Sequence, residues 1–195
     1  MKIFDLYDIK DLKVEDPGLR RYISLSEKLL IKSHGREKEK MGRAKMNILE
    51  RFINMLTVPG HRGSKHKIMT PWATGKWSRR ASDLIKALKI IELKTKENPV
   101  HVFVKAVENA APRDEITTIE YGGARYPQAV DISPMRRISL ALRSLKNGAY
   151  DRCFGKSMKI EDALAAEIIA AYQHNSESKA IMRKNEIEKM ADSSR

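Results

Sequence analysis

Lysine and arginine stand where the helices of this sequence should prefer acids. Apolar periodicity places helix starts near Arg43-Ala44-Lys45, Lys76-Trp77-Ser78-Arg79-Arg80, Ser133-Pro134-Met135-Arg136-Arg137 and Lys156-Ser157-Met158-Lys159. A helix N-terminus carries partial positive charge, so each basic opening costs on the order of 0.3–1 kcal/mol at an exposed site. An external anion reverses that sign, because unpaired backbone N–H groups and basic side chains then converge on it. The openings near Asn98-Pro99 and Ser176-Glu177 are neutral or acidic, so the pattern is local. The chemistry on offer is charge neutralisation at several rigid points, and the ligand class is a polyanion.

Composition points the same way. The 195 residues hold 38 Lys+Arg against 25 Asp+Glu, a formal net charge of +13. A field of that sign governs partners and association rates rather than fold. Nucleic acid is the leading expectation, ahead of an anionic membrane surface. Between Arg51 and Ser82 there is no acid, while Arg51, Arg62, Lys65, Lys67, Lys76, Arg79 and Arg80 are basic, with His61 and His66 beside them. From Ile132 to Ile160 only Asp151 opposes Arg136, Arg137, Arg143, Lys146, Arg152, Lys156 and Lys159. Lys38 and Lys40 close a dense polar run; with Arg43 and Lys45 they join the candidate phosphate contacts, which take from the two acid-free runs every basic residue named but Arg51, Arg152 and Lys159.

Other chemistries find little support. Cys153 is the only cysteine, which excludes an intramolecular disulfide and suggests a reducing compartment. Acids interrupt the N-terminal segment where a signal peptide needs an apolar run, and no apolar stretch reaches transmembrane length. The expectation is a soluble, intracellular protein with no membrane partner. Phe154-Gly155-Lys156-Ser157 resembles the end of a phosphate-binding loop, but position 150, which needs glycine, is Tyr150. His61 and His66 have no second cysteine or paired-histidine helix motif to make a zinc site. No enzyme activity, cofactor or metal is expected.

The elements that position the basic residues follow from spacing. Ile48, Leu49, Phe52, Ile53 and Leu56 form one buried stripe over a helix from 44 to 56. Val58 to Thr74 reads as a long loop, and Ser78 to Leu93 as a second helix. Asn98 caps a third with Pro99 at its first position, and Pro112 stops it. Residues 116–132 read as a β-hairpin about Gly122-Gly123, with Pro127 on an edge or bulged strand. A helix from Ser133 is expected to end at Gly148, and two more cover Ser157 to Tyr172 and Ser176 to Asp192. On the Ser133 helix, Met135, Ile138, Leu142 and Leu145 should face the core. Arg136, Ser139, Arg143 and Lys146 form a parallel basic stripe about 100° round the cylinder. Reversing Arg136 and Arg137 should therefore spare the core. Residues 1–43 read as an extended N-terminal arm with one short helix (Ser26 to Ile31), and 44–195 as the helical domain. The fold class is mainly α: about six helices, one protruding β-hairpin and the arm.

Several separated motifs then resemble a known family. Asn47-Ile48-Leu49-Glu50-Arg51-Phe52-Ile53-Asn54-Met55-Leu56, Glu108-Asn109-Ala110-Ala111-Pro112, the hairpin through Tyr121-Gly122-Gly123, Pro134-Met135-Arg136-Arg137 and Gly155-Lys156-Ser157-Met158 are similar to small-subunit ribosomal protein seven. The segment Asp16-Pro17-Gly18-Leu19-Arg20-Arg21-Tyr22-Ile23 resembles the archaeal and eukaryotic branch. The resemblance implies a structural ribosomal protein in the cytoplasm that binds small-subunit rRNA and nucleates assembly of the subunit head. It also implies a place near the exit-site tRNA and contact with small-subunit proteins nine and eleven. By position, Lys76 and its neighbours, Arg136, Arg137, Lys156, Ser157 and Met158 should lie on rRNA. Tyr121, Gly122, Gly123, Arg125 and Tyr126 should form a hairpin tip toward the tRNA or mRNA path. The bacterial members carry a shorter linker in place of the His61 to Thr74 loop and a more basic ribbon than one with Glu120 opposite Arg125. Alternatives from other classes are a helical DNA-binding regulator, which needs a base-reading helix in a major groove, and a phosphate-handling enzyme.

Overall fold

The computed structural model describes residues 2–9, 12–25, 40–58, 61–62, 67–68 and 75–195, with side chains for all but 61, 62, 67 and 68. In chain order the elements are α1 (Pro17–Arg20), a 3₁₀ turn (Gly42–Ala44), α2 (Ile48–Leu56), β1 (His61–Arg62), β2 (Lys67–Ile68), α3 (Trp77–Thr95), α4 (Pro99–Ala110), β3 (Asp114–Tyr121), β4 (Ala124–Asp131), α5 (Pro134–Cys153), α6 (Ile160–Tyr172) and α7 (Lys179–Asp192). The mainly helical class with one long hairpin is as the sequence reads. β1 and β2 add a two-residue antiparallel ladder, His61↔Ile68 and Arg62↔Lys67, inside the stretch read as loop. The helix expected at Ser26 to Ile31 lies outside the described residues.

Apolar stripes explain the packing. α2 presents Ile48, Leu49, Phe52, Ile53 and Leu56 with no exposed surface, and the Phe52 ring meets Phe103 of α4 at 5.2 Å. α4 is buried on most sides through Val100, Val102, Phe103, Val104, Ala106 and Val107. On α6 the small residues Ala163, Ala165 and Ala171 let neighbouring helices approach closely, and α6 touches α3, α4, α5 and α7. Burying a Phe or Leu side chain is worth about 1.5–3 kcal/mol, so these stripes fix which helix faces turn to solvent.

The arm packs onto this body. Ile3, Tyr7, Ile9, Val14, Leu19 and Ile23 belong to the same core cluster. The Asp16-Pro17-Gly18 turn signal opens a one-turn helix, with the Asp16 carboxylate accepting the Gly18 N–H at 2.8 Å. Glu108 of α4 accepts the Glu15 and Asp16 N–H groups at 2.8 and 3.2 Å.

Four helix boundaries differ from expectation by three residues or more, among them that of α7, which begins at Lys179 rather than Ser176 because the Ser178 side chain caps it, accepting the Ile181 N–H at 3.4 Å. α2 begins at Ile48, not Ala44, because the Asn47 side chain accepts the Leu49 N–H at 2.9 Å and ends the approach turn. α6 begins at Ile160 rather than Ser157, after Gly155 takes a φ of +69° that breaks the chain direction. Gly148, expected to end α5, lies inside it. That glycine serves close packing: a Cβ there would sit 2.5 Å from Glu167 Oε1. Glu167, fully buried, accepts Ser178 Oγ at 2.8 Å, the Ala180 N–H at 3.1 Å and Arg152 Nε at 2.8 Å. One carboxylate thus ties α5, α6 and the start of α7 together.

The ribbon is a continuous ladder from Asp114↔Asp131 to Tyr121↔Ala124. Gly122 and Gly123 both take positive φ, at 59° and 81°, which is the demand of a two-residue primed turn. α7 braces its base, where Glu188 accepts the Arg113 N–H at 3.0 Å and Arg195 pairs with Asp114 at 2.5 Å.

The arm also carries a pH dependence. The Tyr7 hydroxyl donates to Glu92 at 3.3 Å, and burial first, with the Glu92 charge second, pushes its pKa up to about 12. Its neutral form is favoured in the folded state, so this increment is intact below the unfolded pKa near 10 and lost as pH climbs to about 12. Urea unfolding of Tyr7→Phe should show a smaller loss of stability between pH 10 and 12 than the parent chain. Equal losses would refute the assignment. Burial raises Tyr150 in the same direction, so some alkaline loss remains in the variant.

Candidate nucleic-acid interface

Two helix stripes face each other across an open cleft of about 480 Å³. α2 contributes Arg51, Asn54 and Met55, followed by Val58, at the three- and four-residue steps of one helix face. α5 contributes Ser139, Arg143 and Lys146 at the same steps. Arg43, on the 3₁₀ turn, and Met46 close one end. The apolar stripe of α2 turns the opposite way into the core, so burial of Phe52 and Leu56 is what aims Arg51 and Asn54 at the cleft.

Among the described residues no carboxylate lines it. Arg51 is 5% exposed and donates to the Tyr22 carbonyl at 3.2 Å. Burial, with the nearby Arg43 charge second, holds its pKa down to about 10. Lys146 is 7% exposed and has no hydrogen bond or ion pair among the described residues. Burial and then the Arg143 charge lower its pKa. A buried cation without a counter-ion weakens the free protein and gains most when an anion arrives. Lys146→Met should therefore raise the denaturant midpoint, with a gain in unfolding free energy of about 1–3 kcal/mol if the whole desolvation penalty is recovered. A lower midpoint would show that Lys146 holds the fold.

The basic helix openings divide in two. α3 and α5 keep them: neither has a side-chain cap or an acid in its first turn. The two openings read at 43–45 and 156–159 are corrected, since α2 carries Glu50 and α6 carries Glu161 and Asp162 in their first turns. Their cations stand on the preceding turns instead. At α3, Lys76 and Arg79 are exposed, whereas Arg80 is buried against Asp83 at 3.0 Å. At α5, Arg136 grips Glu115 with two bonds of 2.6 and 2.7 Å, which raise its pKa. Arg137 turns inward: it donates to Asp16 at 2.8 Å and to the Pro112 carbonyl at 3.1 Å. Burial pushes the Asp16 carboxyl up, but the Gly18 N–H and the Arg137 guanidinium outweigh it and hold it below the usual carboxylate range.

The structure therefore brings together Arg43, Arg143 and Lys146 and adds Arg51, Asn54, Met46 and Met55, which were not among the sequence-derived candidates. Their signal was present in the 51, 54, 55, 58 spacing beside the apolar stripe.

This arrangement can be set against known proteins. The family model described as ribosomal protein S7p/S5e matches residues 19–195. A relative from Nanoarchaeum equitans (strain Kin4-M), small ribosomal subunit protein uS7, is 52% identical over 196 residues, covering all of this chain and 99% of its own length. The chain belongs to the ribosomal protein S7p/S5e family. It is thus a ribosomal protein of the small subunit.

The remaining candidates of this S7p/S5e member lie elsewhere on its surface. Lys156, Ser157 and Met158 are exposed on the loop between α5 and α6. Lys40 and Lys45 are exposed beside the 3₁₀ turn. At the ribbon tip Tyr121 is 81% and Tyr126 58% exposed, and Arg125 pairs with Glu120 at 3.6 Å. Lys38 and Lys65, with the side chains of Arg62 and Lys67, lie outside the described residues. No described helix is long and apolar enough to cross a membrane.

Proposed function

We propose that this chain acts as a primary rRNA-binding protein of the small subunit, seating rRNA phosphates in the α2–α5 cleft and on the α3 and α5 openings. The observation that carries this reading is the buried cation pair Arg51 and Lys146, flanked by Arg43 and Arg143 in a cleft that no carboxylate lines among the described residues. Two buried positive charges without a carboxylate are unfavourable alone and become favourable against a phosphate. Rigid helices hold them at fixed separations, which suits a folded RNA better than a flexible tail would. Sparse aromatics, with only two Trp and four Phe, fit phosphate and shape recognition of structured RNA.

In this reading the chain fixes the orientation of rRNA helices where they meet, and so nucleates assembly of the subunit head. Lys40, Arg43, Lys45, Lys76, Arg79, Arg143, Lys146, Lys156 and Ser157 contact rRNA, while Arg80 and Arg137 act by shaping the surface. The ribbon tip, with Tyr121 and Tyr126, reaches toward the exit-site tRNA, and small-subunit proteins nine and eleven are its protein neighbours. These assignments rest on family membership, on the exposure of the other rRNA-facing residues named and on the place of Lys146 in the cleft wall.

Equilibrium binding to a transcript of the small-subunit rRNA head region between 50 and 200 mM salt is the test. If roughly six to ten phosphates are neutralised, affinity should fall on the order of 10³-fold or more. Affinity that hardly changes over that range, or equals that for duplex DNA at the same salt, contradicts the reading.

A further inference from the structure

The α2–α5 cleft holds more than cations. Met46 and Met55 place two thioethers in its wall, with Val58 beside them. A backbone phosphate alone gains nothing from thioethers, which would add only a desolvation cost to the cations next to them. They become useful against the flat face of an aromatic ring, since sulfur–aromatic contacts are favourable. A volume of about 480 Å³ falls in the range of sites that hold small organic ligands, roughly 300–1,000 Å³.

Asn54 supplies direction. Its Oδ1 accepts the Trp77 Nε1–H at 3.0 Å, and its Nδ2 lies 3.6 Å from Met46 Sδ, a soft acceptor. The amide oxygen is thus turned to the tryptophan and the NH₂ to the Met46 sulfur in the cleft wall. On the facing helix, Ser139 Oγ gives its proton to the Met135 carbonyl at 2.8 Å. Among the described residues the wall offers donors from the guanidinium groups and the Lys146 ammonium and no carboxylate, so it suits a base edge rich in carbonyl or ring-nitrogen acceptors.

We infer that the cleft receives a single unstacked nucleotide of the bound RNA, its base against Met46 and Met55 and its phosphate on Arg143 and Lys146. The inference rests on the rRNA-binding reading above and names what the same cleft takes. Unstacked bases are the usual target of sequence-specific RNA recognition. The cleft then supplies sequence preference to a surface that otherwise reads phosphates.

The test uses the full chain with ¹³C-labelled methionine methyls, bound to the rRNA head-region transcript. The Met46 and Met55 methyl resonances should move upfield by the ring current of a stacked base. Met55→Ala should weaken binding roughly 2- to 12-fold, the value of one lost sulfur–aromatic contact, with an unchanged salt slope. Methyls that stay in place in the saturated complex overturn the inference, as does a Met55→Ala slope that falls as it does on loss of a phosphate contact. Either result leaves the phosphate-binding reading intact, which fails separately if Arg143→Glu binds the transcript as well as the parent chain does. Should Met55→Ala unfold, the methyl shifts of the unmodified chain decide.

Discussion

Arg43→Glu combined with Arg143→Glu is expected to lower affinity for small-subunit rRNA by roughly 100-fold or more while the chain stays folded. Each arginine lines the cleft, is exposed, and holds no ion pair among the described residues. A charge-assisted hydrogen bond is worth about 1.5–3 kcal/mol, so losing two gives that magnitude before any repulsion is added. Each lost phosphate contact should also reduce the salt slope by about one. Stability should not suffer, because Arg43 is the charge that helps depress the Arg51 pKa, and a carboxylate there relieves the repulsion. Filter binding at several salt concentrations, with circular dichroism as the folding control, reads both effects. A folded double variant with unchanged affinity and slope would remove the cleft from the interface.

Arg137→Glu and Arg136→Glu should differ sharply, although the two residues are adjacent and read alike in the sequence. Arg137 has 12% of its side chain exposed and holds Asp16 at 2.8 Å, tying the arm to α5. Reversal leaves Asp16 against a second carboxylate and strands the Pro112 carbonyl, so a loss of about 3–5 kcal/mol is expected, as for breaking a buried pair. Arg136 has 57% of its side chain exposed, and its pair with Glu115 is a surface bridge worth about 0–1 kcal/mol. Urea midpoints of the two single variants make the comparison. Matching midpoints would mean that the arm is not held by Arg137.

The α2 and α5 stripes show what the sequence makes legible. Period alone separates Ile48, Leu49, Phe52, Ile53 and Leu56 from Arg51 and Asn54, and puts Ser139, Arg143 and Lys146 on one line. What period cannot say is that the two polar lines face each other, because that depends on how α2 packs against α5. The misplaced helix starts have a local cause. Asn47 is the N-cap two residues past the 43–45 basic cluster and Lys159 is the N-cap at the end of the 156–159 cluster, so each helix starts beyond its cations. Gly148 was misread because a glycine that admits a carboxylate looks, in one dimension, like a glycine that ends a helix. Arg137 was misread because its partner is 121 positions away. The family motifs carried the fold across these gaps, since they are spread along the chain in order.

The most direct measurement is a structure of the chain in its own small subunit, reading the distance from Lys146 Nζ and the Arg143 guanidinium to the nearest rRNA phosphate oxygen. The expected result is at least one such oxygen at roughly 2.7–3.2 Å from each group, the range of a real hydrogen bond. A cleft filled by solvent or by another protein, with rRNA elsewhere, would contradict the central claim that the α2–α5 cleft, with Arg143 and Lys146 in its wall, receives an rRNA phosphate.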